Sequence, residues 1–242
     1  MREIKDMGMM IDITNHCDRL CSNCSMCVGH YRKDQLYFMS SEYFKQVCIS
    51  LKDFPKNIGI IGGEPILHPQ FNEICEIFKK YLPDHERGLW TSRNPEQVKD
   101  KFSYFHIGRH SKSGSHRHSP VLVSSKSVSD NWREKVEDCW LQKTWSATIT
   151  PKGGFYCEVA GALDILFDGP GGFDVENNPG WWKRGLEEFE DQIQRYCSKC
   201  GIATGLPYTD SSSVIDDISE DNYELLKNQS YKIKREYVRV VR

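Results

Sequence analysis

The chain has 242 residues, of which 38% are hydrophobic and 27% charged, with a formal net charge of −2. That composition suits one large globular domain, or a core with a small appendage. It leaves no electrostatic footprint for bulk nucleic-acid binding, and no apolar stretch approaches the roughly twenty residues that span a bilayer. The segment from Met1 to Asp6 lacks the apolar core of a signal peptide, so the expected location is cytoplasmic. In a reducing compartment the ten cysteines read as metal ligands before disulfides.

Met9 to Thr14 reads as a first strand. It runs into Cys17, Cys21 and Cys24, a C-x3-C-x2-C pattern on one loop. Three thiolates so spaced can hold three irons of a 4Fe–4S cube and leave the fourth iron open to a small molecule. The spacing works against structural zinc, which takes a closed set of four ligands from separate knuckles. Cys27 extends the run to a second, evenly spaced triple (Cys21, Cys24, Cys27) of ferredoxin type, and its role stays undecided.

Ser40 or Ser41 then caps a helix whose apolar face holds Tyr43 or Phe44, Val47, Cys48 and Leu51. Ile58 to Ile61 is a short apolar run ending in Gly62-Gly63-Glu64-Pro65, a buried strand whose exit admits close approach to the backbone. Pro69 opens a helix with Phe71, Ile74, Cys75, Phe78 and Leu82 on one side. Cys48 and Cys75, on apolar stripes, read as core. Gly88 to Ser92, Phe102 to Ile107 and Val121 to Val123 are the remaining strands, with a short helix from Pro95. Strand–helix alternation predicts parallel βαβ units. About five strands are too few for a closed eight-fold barrel. The run from His106 to His118 holds four of the eight histidines, and its Ser/Gly/Lys-rich composition favours a solvated loop.

Trp145 to Tyr156 reads as a hairpin turning at Pro151-Lys152-Gly153-Gly154, and Asp168 to Gly180 as loop. A helix carrying Trp182, Leu186, Phe189, Ile193 and Tyr196 follows. Cys139, Cys157, Cys197 and Cys200 fall around these elements. Local spacing alone leaves a zinc site and a fully ligated 4Fe–4S cluster equally open. The tail offers a helical stretch, Asn222 to Lys227. Alternating residues from Tyr231 to Val241 follow it and suggest an edge strand or a lid.

The three-cysteine loop, with Gly62-Gly63-Glu64-Pro65 about forty residues on at the next strand end, resembles the radical S-adenosylmethionine (SAM) superfamily. The later four cysteines resemble its twitch domain, a short form of the SPASM extension. The nearest likeness is to the 2-deoxy-scyllo-inosamine dehydrogenase type, over roughly residues 8–205. The resemblance implies a partial, open parallel β/α barrel over 1–135, a twitch domain of hairpin plus helix over 136–205, and a tail over 206–242. It implies a SAM-binding 4Fe–4S cluster on Cys17, Cys21 and Cys24. SAM contacts would come from Asn23, Gly62, Gly63, Glu64, Pro65, Ser92 and Arg109. An auxiliary 4Fe–4S cluster, with zinc as the alternative, falls to Cys139, Cys157, Cys197 and Cys200. Asn23 stands where the family often has an aromatic residue beside the adenine.

The implied chemistry is one-electron cleavage of SAM to a 5′-deoxyadenosyl radical, then hydrogen abstraction from a substrate carbon. A fully ligated second cluster would accept the remaining electron, making a two-electron oxidation of a small polar substrate such as an aminocyclitol or sugar alcohol. Arg109, His106 and His110 are the candidate bases. A reducing partner such as flavodoxin or ferredoxin is implied, and no membrane. The alternative is an isomerase or maturase acting on a peptide, nucleotide or nucleic acid. A third class is an iron–sulfur electron carrier or zinc-stabilised binding protein.

Overall fold

The computed structural model describes residues 1–108, 117–176, 178–210, 215–229, 233 and 238–241, and the fold is α/β. Strands β1 (Gly8–Asp12), β2 (Ile58–Ile61), β3 (Arg87–Thr91) and β4 (Tyr104–Ile107) follow one another. Helix α1 (Ser41–Ser50) joins the first pair and helix α2 (Phe71–Tyr81) the second. Ser40 caps α1, its hydroxyl accepting from the Tyr43 amide. A 3-10 segment (Glu96–Lys101) stands where the short helix after Pro95 is predicted.

Later in the chain come β5 (Arg117–His118), α3 (Ser125–Val128), α4 (Trp132–Glu137) and α5 (Trp140–Thr144). The hairpin β6 (Ser146–Thr150) and β7 (Gly153–Phe155) leads into α6 (Glu158–Leu166). The order in the main sheet is β4-β3-β2-β1-β6-β7, parallel except for β7 against β6. The hairpin therefore continues the sheet of the first four strands, through the pairing of β6 with β1.

Strand alternation divides this sheet into two unlike faces. Met9, Ile11, Ile58, Ile60, Leu89, Ala147 and Ile149 lie on one face and belong to the core beside α1 and α2, where Phe44 meets Phe78 at 5.8 Å. The other face carries Met10, Asp12, Gly59, Ile61, Gly88, Trp90, Tyr104, His106, Ser146 and Thr148. Gly59 and Gly88 leave room for one large ring: a Cβ on either would sit within 2.5 Å of the Trp90 indole. Helix α6 also packs on this face, since Gly161 lies against the Thr148 and Thr150 methyls.

Three predictions differ from the structure. Val121 to Val123 forms a turn with a single bridge, Leu122 to Ile218, because Pro120 and the helix cap Ser124 leave three residues between them. The helix through Trp182 and Tyr196 is broken into a 3-10 turn (Trp181–Lys183), a second one (Leu186–Phe189), α7 (Glu190–Gln192) and a π turn (Ile193–Cys197). Gly185 interrupts the run, and the wide π turn ends on Cys197. Helix α6 has no predicted counterpart, because its sequence Glu158 to Leu166 is apolar almost all round and holds a glycine.

The C-terminal part forms β8 (Thr209–Asp210), paired with β5, and β9 (Asp216–Ser219), α8 (Glu220–Leu226) and β10 (Val238–Val241), with β9 and β10 parallel. Tyr231, Lys232, Lys234 and Tyr237 of the predicted tail strand lie outside the described residues. Cys48 and Cys75 are fully buried on α1 and α2, as core residues. Among the described residues no helix is long and apolar enough to cross a membrane.

Candidate active site

The loop after β1 brings Cys17, Cys21 and Cys24 together. Burial raises the Cys17 thiol to about 11 and the Cys24 thiol to about 12; the Cys21 sulfur adds to both, and Cys17 adds to Cys24. Backbone amides work the other way. The Arg19 amide donates to Cys17 Sγ at 3.4 Å, and those of Met26 and Val28 donate to Cys24. These donors fit anionic sulfur, so a metal would displace the thiol protons on binding. Cys27 is buried in the core beneath the loop, at a left-handed backbone position (φ 53°).

Gly62 and Gly63 are required by the chain itself. A Cβ on Gly62 would lie 2.3 Å from the Thr14 carbonyl, and one on Gly63 would lie 2.4 Å from that of His16. The Gly63 and Glu64 amides donate to these same carbonyls, at 2.6 and 2.8 Å. The turn after β2 is thereby fastened to the segment that leads into Cys17. Glu64 is buried and receives four donors: Thr91 Oγ1 (2.5 Å), Ser92 N (2.9 Å), Ser92 Oγ (2.6 Å) and Ile66 N (3.3 Å). Ser92 thus orients Glu64, and Pro65 opens the 3-10 turn Pro65–Leu67 behind it. An ion pair between Arg93 and Asp18 ties the β3 exit to the cysteine loop.

Asn23 is buried with φ 51°, a conformation that asparagine tolerates better than most residues. Its amide is fully engaged by the C-terminal strands. Asn23 Nδ2 donates to Asp217 Oδ2 (2.9 Å), the Asp217 amide donates to Asn23 Oδ1 (2.9 Å), and Asn23 N donates to Asp216 Oδ1 (2.5 Å). Ser22 donates to the Ile215 carbonyl (2.6 Å), and the buried His30 faces Asp216 at 3.3 Å. Arg239 of β10 and Thr209 of β8 complete the Asp217 carboxylate.

These pieces surround one cavity of about 200 Å³. Cys17, Cys21, Asn23, Cys24, Gly62, Gly63, Glu64 and Ser92 line it on the side of the cysteine loop. Trp90, His106, Trp140, Trp145, Tyr208 and Glu158 contribute the rest of its chemistry. Of the other predicted site residues, Arg109 and His110 lie outside the described residues. His106 is exposed and stacks on Trp90 at 5.8 Å.

A second, smaller void of about 30 Å³ is lined by Cys139, Cys157, Cys197 and Cys200 together. Burial raises all four thiols, and neighbouring sulfurs further oppose ionisation of Cys157, Cys197 and Cys200. Here too donors point at sulfur: the Leu141 and Gln142 amides at Cys139, the Ile202 amide at Cys200, and Tyr156 Oη at Cys197 Sγ, 2.6 Å away. Leu141 and Ile202 line both this void and the large cavity, so two side chains form a shared wall between the sulfur groups. Both all-sulfur sets fit iron–sulfur clusters, and the four-sulfur set also fits zinc. Among the described residues no three His, Cys, Asp or Glu side chains converge as they stand on a single ion.

Sequence reasoning missed Glu158, Trp140, Trp145, Tyr156 and the Asp216–Asp217 pair. Glu158 could have been noticed as an acid opening a largely apolar run directly after Cys157. The aspartates carry no such signal, because Asn23, which both of them hold, lies 193 and 194 residues away.

No family model matches the chain, and no curated protein does. Among solved structures, BtrN in complex with AdoMet and 2-DOIA is similar at 15% identity and a TM-score of 0.48, covering 80% of this chain and 92% of that one. SuiB of Streptococcus suis bound to S-adenosylmethionine gives 12% identity and a TM-score of 0.34, covering 78% of this chain and 47% of that one. Tagged anSMEcpe with bound AdoMet gives 12% and 0.27, covering 97% of this chain and 50% of that one. All three scores lie below 0.5, so the chemistry rests on the residues of this chain.

Proposed function

We propose that this chain is a radical SAM enzyme that oxidises a small polar substrate by two electrons. The observation that carries the reading is the single cavity flanked by two groups of cysteines, three on one side and four behind the Leu141–Ile202 wall. Cys17, Cys21 and Cys24 would hold a 4Fe–4S cluster with one open iron, and Cys139, Cys157, Cys197 and Cys200 a fully ligated one. Bound together, SAM and the first cluster would supply a 5′-deoxyadenosyl radical by one-electron cleavage, and the second cluster a sink for the electron left on the substrate.

The chain's own residues do the positioning. Gly62, Gly63 and Glu64 form the cavity edge beside the cysteine loop, where SAM's amino acid end would lie. Ser92 holds the Glu64 carboxylate in one orientation. Asn23 holds the loop to the C-terminal strands, leaving the adenine to apolar neighbours such as Met26, Val28 and Ile61. Arg109, proposed from the sequence, completes the SAM set. The arrangement suits a partial, open parallel barrel over 1–135, a twitch domain over 136–205 and a covering tail over 206–242. A cytoplasmic flavodoxin or ferredoxin would supply the priming electron.

The test is anaerobic incubation of iron-reconstituted protein with SAM and dithionite, followed by chromatography for 5′-deoxyadenosine and methionine. The wild type is expected to form both, and a Cys17/Cys21/Cys24→Ala variant neither. Absence of 5′-deoxyadenosine from the wild type would overturn the reading.

A further inference from the structure

One side chain closes the far end of the large cavity. Gly59 and Gly88 are register partners on β2 and β3, on the face of the sheet that carries the site. Trp90 stands two residues further along β3, and its indole folds back over both glycines. Its Cζ3 would lie 2.5 Å from a Cβ on Gly59 and 2.4 Å from one on Gly88. Tyr104 meets the indole edge-on at 5.4 Å, and His106 stacks on it at 5.8 Å. The ring is therefore held in place on the strand side and flanked by two neighbours from β4.

Trp90 lines the cavity, whereas Gly59, Gly88, Met10 and Tyr104 on the same face do not. The indole thus separates the cavity from the part of the sheet beneath it. The parallel strands β1, β2 and β3 run toward the cysteine loop and the Gly62-Gly63 turn, so the ring closes the opposite, amino-terminal end. Under it lie two glycines and, at the edge, the hydrogen bond from Asn57 Nδ2 to Tyr104 Oη at 2.6 Å. An apolar hole of about 150 Å³ holds benzene in another protein, so the room taken by an indole is that of roughly one further ring.

We infer that Trp90 is the specificity-determining residue of this cavity: it sets the depth, so that a one-ring ligand enters and a two-ring ligand is refused. The inference rests on the reading of the cavity as the radical site and fixes the size class of its substrate. No charge or proton on the ligand enters the argument.

The experiment uses the full, iron-reconstituted chain with SAM, and titration calorimetry with phenol and 2-naphthol. These probes carry the same hydroxyl and differ by one fused ring. The wild type is expected to bind phenol about tenfold or more tighter, because forcing atoms into filled space is costly. In Trp90→Ala, 2-naphthol is expected to gain about tenfold or more, with SAM affinity held within about threefold and iron content unchanged. Trp90→Phe, which keeps a smaller ring in place, should fall between the two. The wild-type comparison needs no variant, so it stands even if Trp90→Ala folds poorly. A wild type that binds 2-naphthol as well as phenol, or binds neither, would overturn the inference. So would iron-loaded variants that gain nothing for 2-naphthol. If 5′-deoxyadenosine still forms in the SAM assay, that failure touches Trp90 alone. If none forms, the radical reading fails while the size limit is judged by its own binding data.

Discussion

Tyr156 is buried beside the four-cysteine void, and its hydroxyl sits 2.6 Å from Cys197 Sγ. Hydrogen bonds to a ligating sulfur stabilise the reduced, more negative state of a cluster and raise its potential. Tyr156→Phe removes that donor with little change in volume. Its auxiliary cluster should therefore titrate on the order of tens of millivolts more negative in a spectroelectrochemical measurement. An unchanged potential would mean that the hydroxyl does not bond the ligand. Asp12 offers a test that needs no metal. Burial pushes its carboxyl from the ordinary range to about 8, against opposing hydrogen bonds from Tyr37 and Thr14. The folded state thus keeps a proton that the unfolded chain loses near pH 4. This contribution to stability is complete below about pH 4 and is lost as pH rises through about 8. Asp12→Asn should therefore gain on the wild type as pH rises, its urea midpoint advantage being larger at pH 9 than at pH 5. An equal difference at both pH values would contradict the burial argument.

The turn after β2 and the cysteine loop behave as one unit, because each glycine of the turn abuts a backbone carbonyl of residues 14–16. Backbone cannot swing aside as a side chain can. Gly63→Ala should cost about 1–3 kcal/mol in denaturant unfolding and lower the iron held by Cys17, Cys21 and Cys24. Full iron content in that variant would show the two segments to be uncoupled. The strand pair β9 and β10 holds the same loop from the other side through Asp217 and Asn23. Asp217→Ala would strand a buried amide, at about 1–3 kcal/mol. It should speed hydrogen exchange over residues 20–30, and unchanged exchange there would contradict the latch. Much of this local structure was legible: β2, a serine cap at 40 or 41, the hairpin turn and the apolar stripe of α2 all follow from short-range pattern. Helix α6 was not, since its run is apolar almost all round, with even Asp164 buried, and shows no clear period of 3.6. Nor was the pairing of β6 with β1, which joins segments about 138 residues apart and leaves no local mark.

Across the molecule, the sheet gives one face to the apolar core and the other to the site. The seven cysteines with metal-ligand spacing fall into the two groups that line the two voids. Their grouping was legible because spacing chemistry is local within each motif: one loop for the first three, and a hairpin and helix end for the others. The wall of Leu141 and Ile202 between them was not, because ordinary apolar residues announce no such role. The most direct test of the two-site account is iron and sulfide per chain after anaerobic reconstitution, in the wild type and in the Cys17/Cys21/Cys24→Ala variant. The expected result is about eight irons falling to about four, two 4Fe–4S clusters becoming one. About four irons falling to none, with one zinc retained, would make the second site structural and contradict its role as electron acceptor.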